Sequence, residues 1–288
     1  MSKRTILVTG AGGQLARSIA ALVEPFHTYV FHFVTKEELS IVDAEGVQNY
    51  FSDNQPAFCI NCAAYTAVDK AESAVEEAFH INADGVKTLA QICAAFDTKF
   101  IHISTDYVFS GTSARPYRED DKVDPINVYG QSKAKGEENA LSCNPQAVII
   151  RTSWVYSEYG RNFLTTMIKL MTEKRELNVV DDQVGAPTYA ADLAGVILRM
   201  INFSLWKPGV YHYCNDGRIT WYDFAQAIRD NLNAACILHP ISTSDYPTPA
   251  KRPKFSLLDT AKIRREFDLD IPFWKDSLTK CMGNIQGQ

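Results

Sequence analysis

Nowhere in this 288-residue sequence is there an uninterrupted apolar run approaching the ~20 residues of a membrane span. Between Met1 and the first apolar run at 5–9 there is no long hydrophobic segment with a small-residue cleavage site, so no secretory signal is read there. Positive charge is not in excess: 29 Lys and Arg stand against 34 Asp and Glu, a net charge of -5. No Lys/Arg run offsets that balance, which excludes nucleic acid as the main partner. The seven cysteines are odd in number and scattered, which argues against a disulfide framework. Internal repeats and low-complexity tracts are missing too. The expectation is a soluble, cytoplasmic protein with neither a membrane nor a nucleic-acid partner.

What is present is an ordinary globular composition, 46% hydrophobic and 22% charged, long enough for one large domain or two modest ones. The first half alternates β-like runs at 5–9, 28–33, 58–63, 100–104 and 147–152 with helical patterns at 14–23, 44–51, 69–96 and 128–141. That rhythm predicts an α/β fold, a Rossmann-like doubly wound parallel sheet. After Thr152 the rhythm loosens. Helices are expected near 162–171, 190–201, 222–232 and 260–267, with a strand at 210–214 and a proline-rich segment from Pro247 to Pro253. The division expected is a dinucleotide-binding domain over 1–152, rejoined by about 177–212. A smaller, mixed α/β C-terminal substrate-binding region would take 153–176 and 213–288. Cys59 and Cys62 form a CxxC, but side chains three apart on a strand point to opposite faces, so they are read as core cysteines.

Directly after the first apolar run stands Thr9-Gly10-Ala11-Gly12-Gly13-Gln14-Leu15-Ala16. Gly10 permits a tight turn, Gly13 lets backbone approach a pyrophosphate, and the small Ala16 allows close helix–strand packing. The helix N-terminus then favours the phosphate charge. The second strand carries no carboxylate before Glu37, while Lys36 or Arg17 is available to a 2′-phosphate. NADPH is therefore the expected cofactor, with NADH an accepted alternative. A solvated surface role for both cations fits the same pattern.

The fourth strand ends in Ser104-Thr105-Asp106-Tyr107, at the sheet edge where ligands bind in open α/β folds. Further on, Asn127 is a suitable N-cap for a helix on which Tyr129 and Lys133, four apart, share a face. A tyrosine of ordinary pKa ~10 exchanges protons poorly at neutral pH. A nearby ammonium would favour the phenolate, and a shift of about three units corresponds to about 4 kcal/mol. Thr105 would hydrogen-bond a substrate carbonyl oxygen. With 13 tyrosines in the chain a YxxxK alone says little. Its weight comes from following a glycine loop and a strand-end Thr105.

In these segments the sequence resembles the dTDP-4-dehydrorhamnose reductases, extended members of the short-chain dehydrogenase/reductases. The resemblance runs through the glycine loop with Gln14, residues 61–72, the STDYVFSG run from Ser104, and Asn127 to Lys133. It continues in Arg151-Thr152-Ser153-Trp154-Val155-Tyr156, Asn162-Phe163, residues 182–188 and residues 249–256. It implies reduction of the C4 ketone of dTDP-4-dehydro-L-rhamnose to dTDP-L-rhamnose. Tyr129 would be the proton donor, Lys133 its electrostatic partner and a cofactor-ribose ligand, and Thr105 the polarising hydroxyl. Gly13, Gln14, Leu15, Ala64, Tyr65 and Thr66 would line the cofactor, and Thr105, Asp106 and Trp154 would contact the sugar nucleotide. Arg252 suits the substrate diphosphate, since guanidinium grips phosphate bidentately. A surface cation is the other reading of Arg252, and core packing the other reading of Trp154.

Two departures stand out. The family often has an acidic residue near Ser40, and some members bridge a dimer through a metal held by a glutamate just after the glycine loop. Here Arg17-Ser18 occupies that place, so no metal is expected, and the assembly is read as monomer or homodimer. Rival functions remain. Another sugar-nucleotide reductase or epimerase shares the tyrosine and lysine, whereas a dehydratase would want a second acid where Tyr107 follows Asp106. A non-catalytic, NADP-binding regulatory subunit is the alternative from another class.

Overall fold

The computed structural model describes residues 4–287. The chain opens with β1 (Arg4–Thr9), α1 (Gln14–Ala20), β2 (Tyr29–Val34), α2 (Ala44–Asn54) and β3 (Phe58–Asn61). Next come α3 (Val68–Ala71), α4 (Val75–Phe79), a π-helical turn at His80–Asp84 and α5 (Gly85–Ala95). β4 (Lys99–Thr105), α6 (Val128–Cys143) and β5 (Val148–Thr152) complete the first half. The second half runs β6 (Val155–Tyr156), α7 (Phe163–Glu173), β7 (Glu176–Val180), β8 (Val184–Gly185), β9 (Thr188–Tyr189), α8 (Ala190–Asn202) and β10 (Gly209–Tyr213). It ends with β11 (Ile219–Thr220), α9 (Trp221–Leu232), β12 (Ile237–Ile241), α10 (Ala261–Phe267) and α11 (Trp274–Gln286).

Six strands form one sheet in the order β2-β1-β3-β4-β5-β10, and every neighbouring pair is parallel. The sheet grows one way from β1 to β2, then the other way from β3 onward. The crevice beyond the carboxyl ends of β1 and β3 is therefore the topological switch point. The middle of β1, Ile6-Leu7-Val8, is apolar because both its faces are covered. Ile6 and Val8 join Ile60, Ile101 and Ile150 beneath α1 and α8, while Leu7 faces Phe51, Leu89 and Phe100 on the other side. Each such side chain contributes about 1.5–3 kcal/mol when fully buried. A second core, around Leu164, Met167, Tyr189, Phe224, Trp274 and Leu278, holds α7, α9 and α11 together. This is the Rossmann-like doubly wound sheet with a smaller mixed α/β region beside it.

Some expected elements change on folding. The strand foreseen at 58–63 stops at Asn61, and the Ala63 amide leaves the ladder to donate to the side chains of Asn61 and Thr9. The helix foreseen over 69–96 is divided, with a π turn that carries Asn82 into the interior. Cys59 packs in the core on one sheet face and Cys62 against the core on the other, as their spacing predicts. All seven cysteines are free. Within 177–212, α8 and β10 lie on the central sheet, while β7 pairs in parallel with β12 in a separate ribbon that the periodicity does not reveal. Among the described residues no helix is long and apolar enough to cross a membrane.

Candidate active site

The glycine loop turns at Gly10, whose φ of 72° is left-handed. A Cβ there would sit 2.8 Å from the Ala63 nitrogen, so only glycine lets the loop pass the end of β3. At Gly12 a Cβ would meet nothing within 4 Å, and Gly13 caps α1 with no side-chain hydrogen bond. The first turn of α1 thus presents amides to an open cradle, the donor set that a dinucleotide pyrophosphate requires. Leu15 is buried in the core beneath α1, so what it can offer a cofactor is backbone. Gln14 reaches across the crevice, its Oε1 accepting from Ser157 Oγ and Asn162 Nδ2, both at 2.9 Å. On the far side of the cradle Ala64 is half-buried, Tyr65 buried and Thr66 exposed. The Arg17 guanidinium lies 4.2 Å from the Tyr159 ring centroid, while Lys36 is solvated beside Glu37.

Thr105 ends β4, and α6 begins at Val128. Asn127 is the N-cap, accepting from the Gly130 amide at 2.7 Å and donating to the Lys251 carbonyl at 2.8 Å. Gly130 lies so close to the Tyr107 carbonyl that a Cβ would collide with its oxygen. This approach draws the Tyr129 turn of α6 onto the end of β4, and the rings of Tyr107 and Tyr129 meet edge to face at 5.9 Å. Thr105 Oγ1 donates to Asp106 Oδ1 at 3.0 Å and accepts from the Tyr107 amide. Asp106 Oδ2 is buried with no close hydrogen-bond partner among the described residues, and burial raises this carboxyl to about 6 against the pull of the Ser256 and Thr105 hydroxyls.

The protonation state of Tyr129 differs from the expectation. Burial raises the phenol to about 12, the Thr105 hydroxyl pulls it back, and Asp106 adds to the rise. Lys133 is only 2% exposed, and its Nζ donates to the Ile103 carbonyl at 2.6 Å and lies 3.4 Å from His102 Nε2. Burial lowers this ammonium to about 8, against the pull of Glu137 and Cys62. The sequence pattern sets the shared face of Tyr129 and Lys133 but not the partners awaiting the amine.

A cavity of about 960 Å³ is lined by Asp69, Phe163, Gln183, Trp221, Tyr246 and Arg252, among others, while Thr105, Tyr129 and Lys133 lie outside its lining. Trp154 has a φ of 47° and stacks on Trp221 at 3.7 Å, backing the aromatic wall. Arg252 lines this cavity but is already engaged. Its two terminal nitrogens donate to the Asp69 carboxylate at 2.9 and 2.8 Å, and one also to Thr248 Oγ1 at 2.6 Å. That guanidinium holds the Asp69 carboxyl below its ordinary range.

Several residues of the site escape a sequence reading. Asn82, from the π turn, accepts from the Tyr65 amide and donates to the Tyr65 carbonyl and to Ser132 Oγ. Arg151 and Glu137 form a buried bidentate pair, and Glu137 also accepts from Ser104 at 2.5 Å, which ties α6 to β4 and β5. His102 stands in an otherwise apolar strand run, Phe100-Ile101-His102-Ile103, and that interruption is the one sequence signal available for this group. Among the described residues no grouping of three or more His, Cys, Asp or Glu could hold a metal ion.

Fold and site together define a nucleotide-dependent oxidoreductase of the extended short-chain dehydrogenase type. The sequence matches the family described as RmlD substrate binding domain over residues 4–286, and the chain belongs to that family. A dTDP-4-dehydrorhamnose reductase of Aggregatibacter actinomycetemcomitans is 41% identical, covering 95% of this chain and 96% of its own. A solved dTDP-4-dehydrorhamnose reductase of Clostridium acetobutylicum superposes with a TM-score of 0.94 at 38% identity, covering 98% of this chain and 99% of that one. The Bacillus anthracis dTDP-4-dehydrorhamnose reductase, solved in complex with NADP, gives 0.94 at 37% identity, with 98% and 100% coverage.

Proposed function

We infer that this protein reduces the C4 ketone of dTDP-4-dehydro-L-rhamnose to dTDP-L-rhamnose, using NADPH and accepting NADH less readily. Full-length identity to reductases of this name supports the reading. The observation that carries it is Thr105 at the carboxyl end of β4, held against the first turn of α6, which bears Tyr129 and, four residues on, Lys133, with the Gly10 turn at the carboxyl end of β1. The cradle and the buried backbone around Tyr65 would hold the cofactor, with Gln14, Ala64 and Thr66 at its edges and Lys133 at the ribose. When bound, NADPH supplies the hydride.

The chain's own groups do the rest. The Thr105 hydroxyl, turning its one proton from Asp106 to the ketone oxygen, donates there and favours the charge that develops. Tyr129, whose burial keeps the phenol protonated at neutral pH, holds the proton that this oxygen takes. The buried positive charge of Lys133, when present, lowers the cost of the phenolate left behind. Asp106 offers its unpartnered oxygen to a sugar hydroxyl, Trp154 and Trp221 wall the sugar nucleotide, and Arg252 exchanges Asp69 for the diphosphate. On this reading the enzyme works in the cytoplasm as a monomer or homodimer, on a dTDP-sugar, without nucleic acid, membrane or metal.

The test is loss of NADPH absorbance with dTDP-4-dehydro-L-rhamnose, for the native chain and Tyr129→Phe across a pH series. Turnover that disappears in the variant supports the reaction and its proton donor together. Bound NADPH without turnover would sink the reductase reading in favour of a regulatory subunit or a different sugar.

A further inference from the structure

A row of polar side chains crosses three adjacent strands near their carboxyl ends. Thr9, Asn61 and His102 are register partners on β1, β3 and β4, and all three are buried. Thr9 Oγ1 donates to Asn61 Oδ1 at 2.6 Å, Asn61 Nδ2 lies 3.0 Å from His102 Nδ1, and His102 Nε2 faces Lys133 Nζ. Polar groups are rare in the middle of a parallel sheet, because each must find a partner there.

The direction of every bond in this row follows from its first member. A backbone amide can only donate, and the Ala63 amide meets Asn61 Oδ1 at 3.2 Å. The oxygen of the Asn61 amide therefore faces Ala63 and Thr9, and its nitrogen faces His102. That nitrogen also can only donate, so His102 Nδ1 accepts and the ring proton sits on Nε2. An Nε2–H directed at Lys133 needs a lone pair. An ammonium has three N–H groups and none, whereas an amine gives one N–H to Ile103 and keeps a lone pair for His102.

We propose that His102, oriented by Asn61 and Thr9, is a positioning residue that favours the amine form of Lys133 in the cofactor-free chain. The inference rests on Lys133 serving the site as proposed above. Groups from other elements also face Lys133. Glu137 on its own helix and Cys62 beyond β3 favour the ammonium, while burial and the His102 N–H oppose it. His102 does not add a competing charge, because its burial and the nearby Lys133 hold the ring neutral, well below the usual histidine range. The lysine charge is thereby made adjustable across neutral pH, where a solvated lysine would stay charged.

The row is tested on the full chain without cofactor. Nitrogen-15 NMR of the histidine rings, with His102→Leu to identify the signals, is expected to find Nε2 protonated and Nδ1 bare from about pH 6 to about pH 9. A proton on Nδ1, or on both nitrogens, overturns the proposal. The Lys133 Cε signal of carbon-13 lysine-labelled chain gives the second readout. In folded His102→Leu its titration midpoint is expected to rise by about one unit, a tenfold gain in proton affinity. An unchanged midpoint counts against the proposal. Neither measurement uses turnover, so a chain that fails to reduce dTDP-4-dehydro-L-rhamnose would sink the reductase reading alone.

Discussion

Asn82 Oδ1 accepts the Tyr65 amide at 2.8 Å while its Nδ2 donates to the Tyr65 carbonyl at 3.0 Å. One buried side chain thus satisfies both backbone groups of a residue in the loop proposed to line the cofactor and also binds Ser132, on the helix between Tyr129 and Lys133. Asn82→Ala leaves these groups without partners, at a cost of about 3 kcal/mol. If the clamp fixes the loop, KM for NADPH rises about tenfold or more, while KM for the sugar nucleotide changes less. Equal rises in both would show a general loss of structure instead.

The contact of Gly130 with the Tyr107 carbonyl gives a second prediction. A methyl group there has no room. Gly130→Ala is expected to destabilise the chain by about 1–3 kcal/mol. It should also push Tyr129 out of line, lowering kcat about a hundredfold for a displacement of about 1 Å. Thermal unfolding and steady-state kinetics on the same preparation separate the two effects. A variant with native kcat means that the Tyr129 turn tolerates the shift.

Buried His212 sets a pH window. Its Nδ1 lies 3.0 Å from the Tyr117 carbonyl and its Nε2 3.3 Å from Arg151, and burial with the Arg151 charge lowers it to about 3. The folded value lies below the unfolded one, ordinarily ~6.5, so the unfolded chain binds the proton first as pH falls. Stability is complete above about pH 6.5 and is lost towards pH 3, by about 1.4 kcal/mol per pH unit for this group. His212→Gln should flatten the dependence of denaturant stability on pH between about 6 and 4. An unaltered slope would assign the acid sensitivity to other groups, such as His102.

Arg252 and Asp69 make opposite predictions. Arg252→Lys cannot form the two-pronged contact and should raise KM for the dTDP-sugar about tenfold. Asp69→Asn weakens the competing partner and should lower that KM. If both substitutions raise it equally, the pair is a strap for the 247–253 loop and Arg252 does not meet the diphosphate.

The proposed catalytic turn was legible because its chemistry is local. Tyr129 and Lys133 share a face by helical spacing alone, Asn127 caps as its side chain dictates, and Thr105 follows from the end of a strand. Gly10 announces its own turn, since only glycine takes that φ against β3. The lysine was legible as a charge but not as a pKa. Burial lowers it, and its contacts in the interior are Ile103 and His102, which lie 30 and 31 residues away.

The sequence by itself determined the alternation of apolar strands with amphipathic helices, the glycine loop, and the order of Thr105, Tyr129 and Lys133. These are properties of neighbours along the chain, where spacing and backbone preference act directly. Only the tertiary structure decided that Asn82 clamps Tyr65, that Asp69 occupies Arg252, and that Thr9, Asn61 and His102 point a single N–H at Lys133. Those partners are 17 to 183 residues apart. For the buried Asn82, Thr9, Asn61 and His102, burial removed the water that would otherwise satisfy them, and each polar atom was left to find whatever group the fold brought within reach.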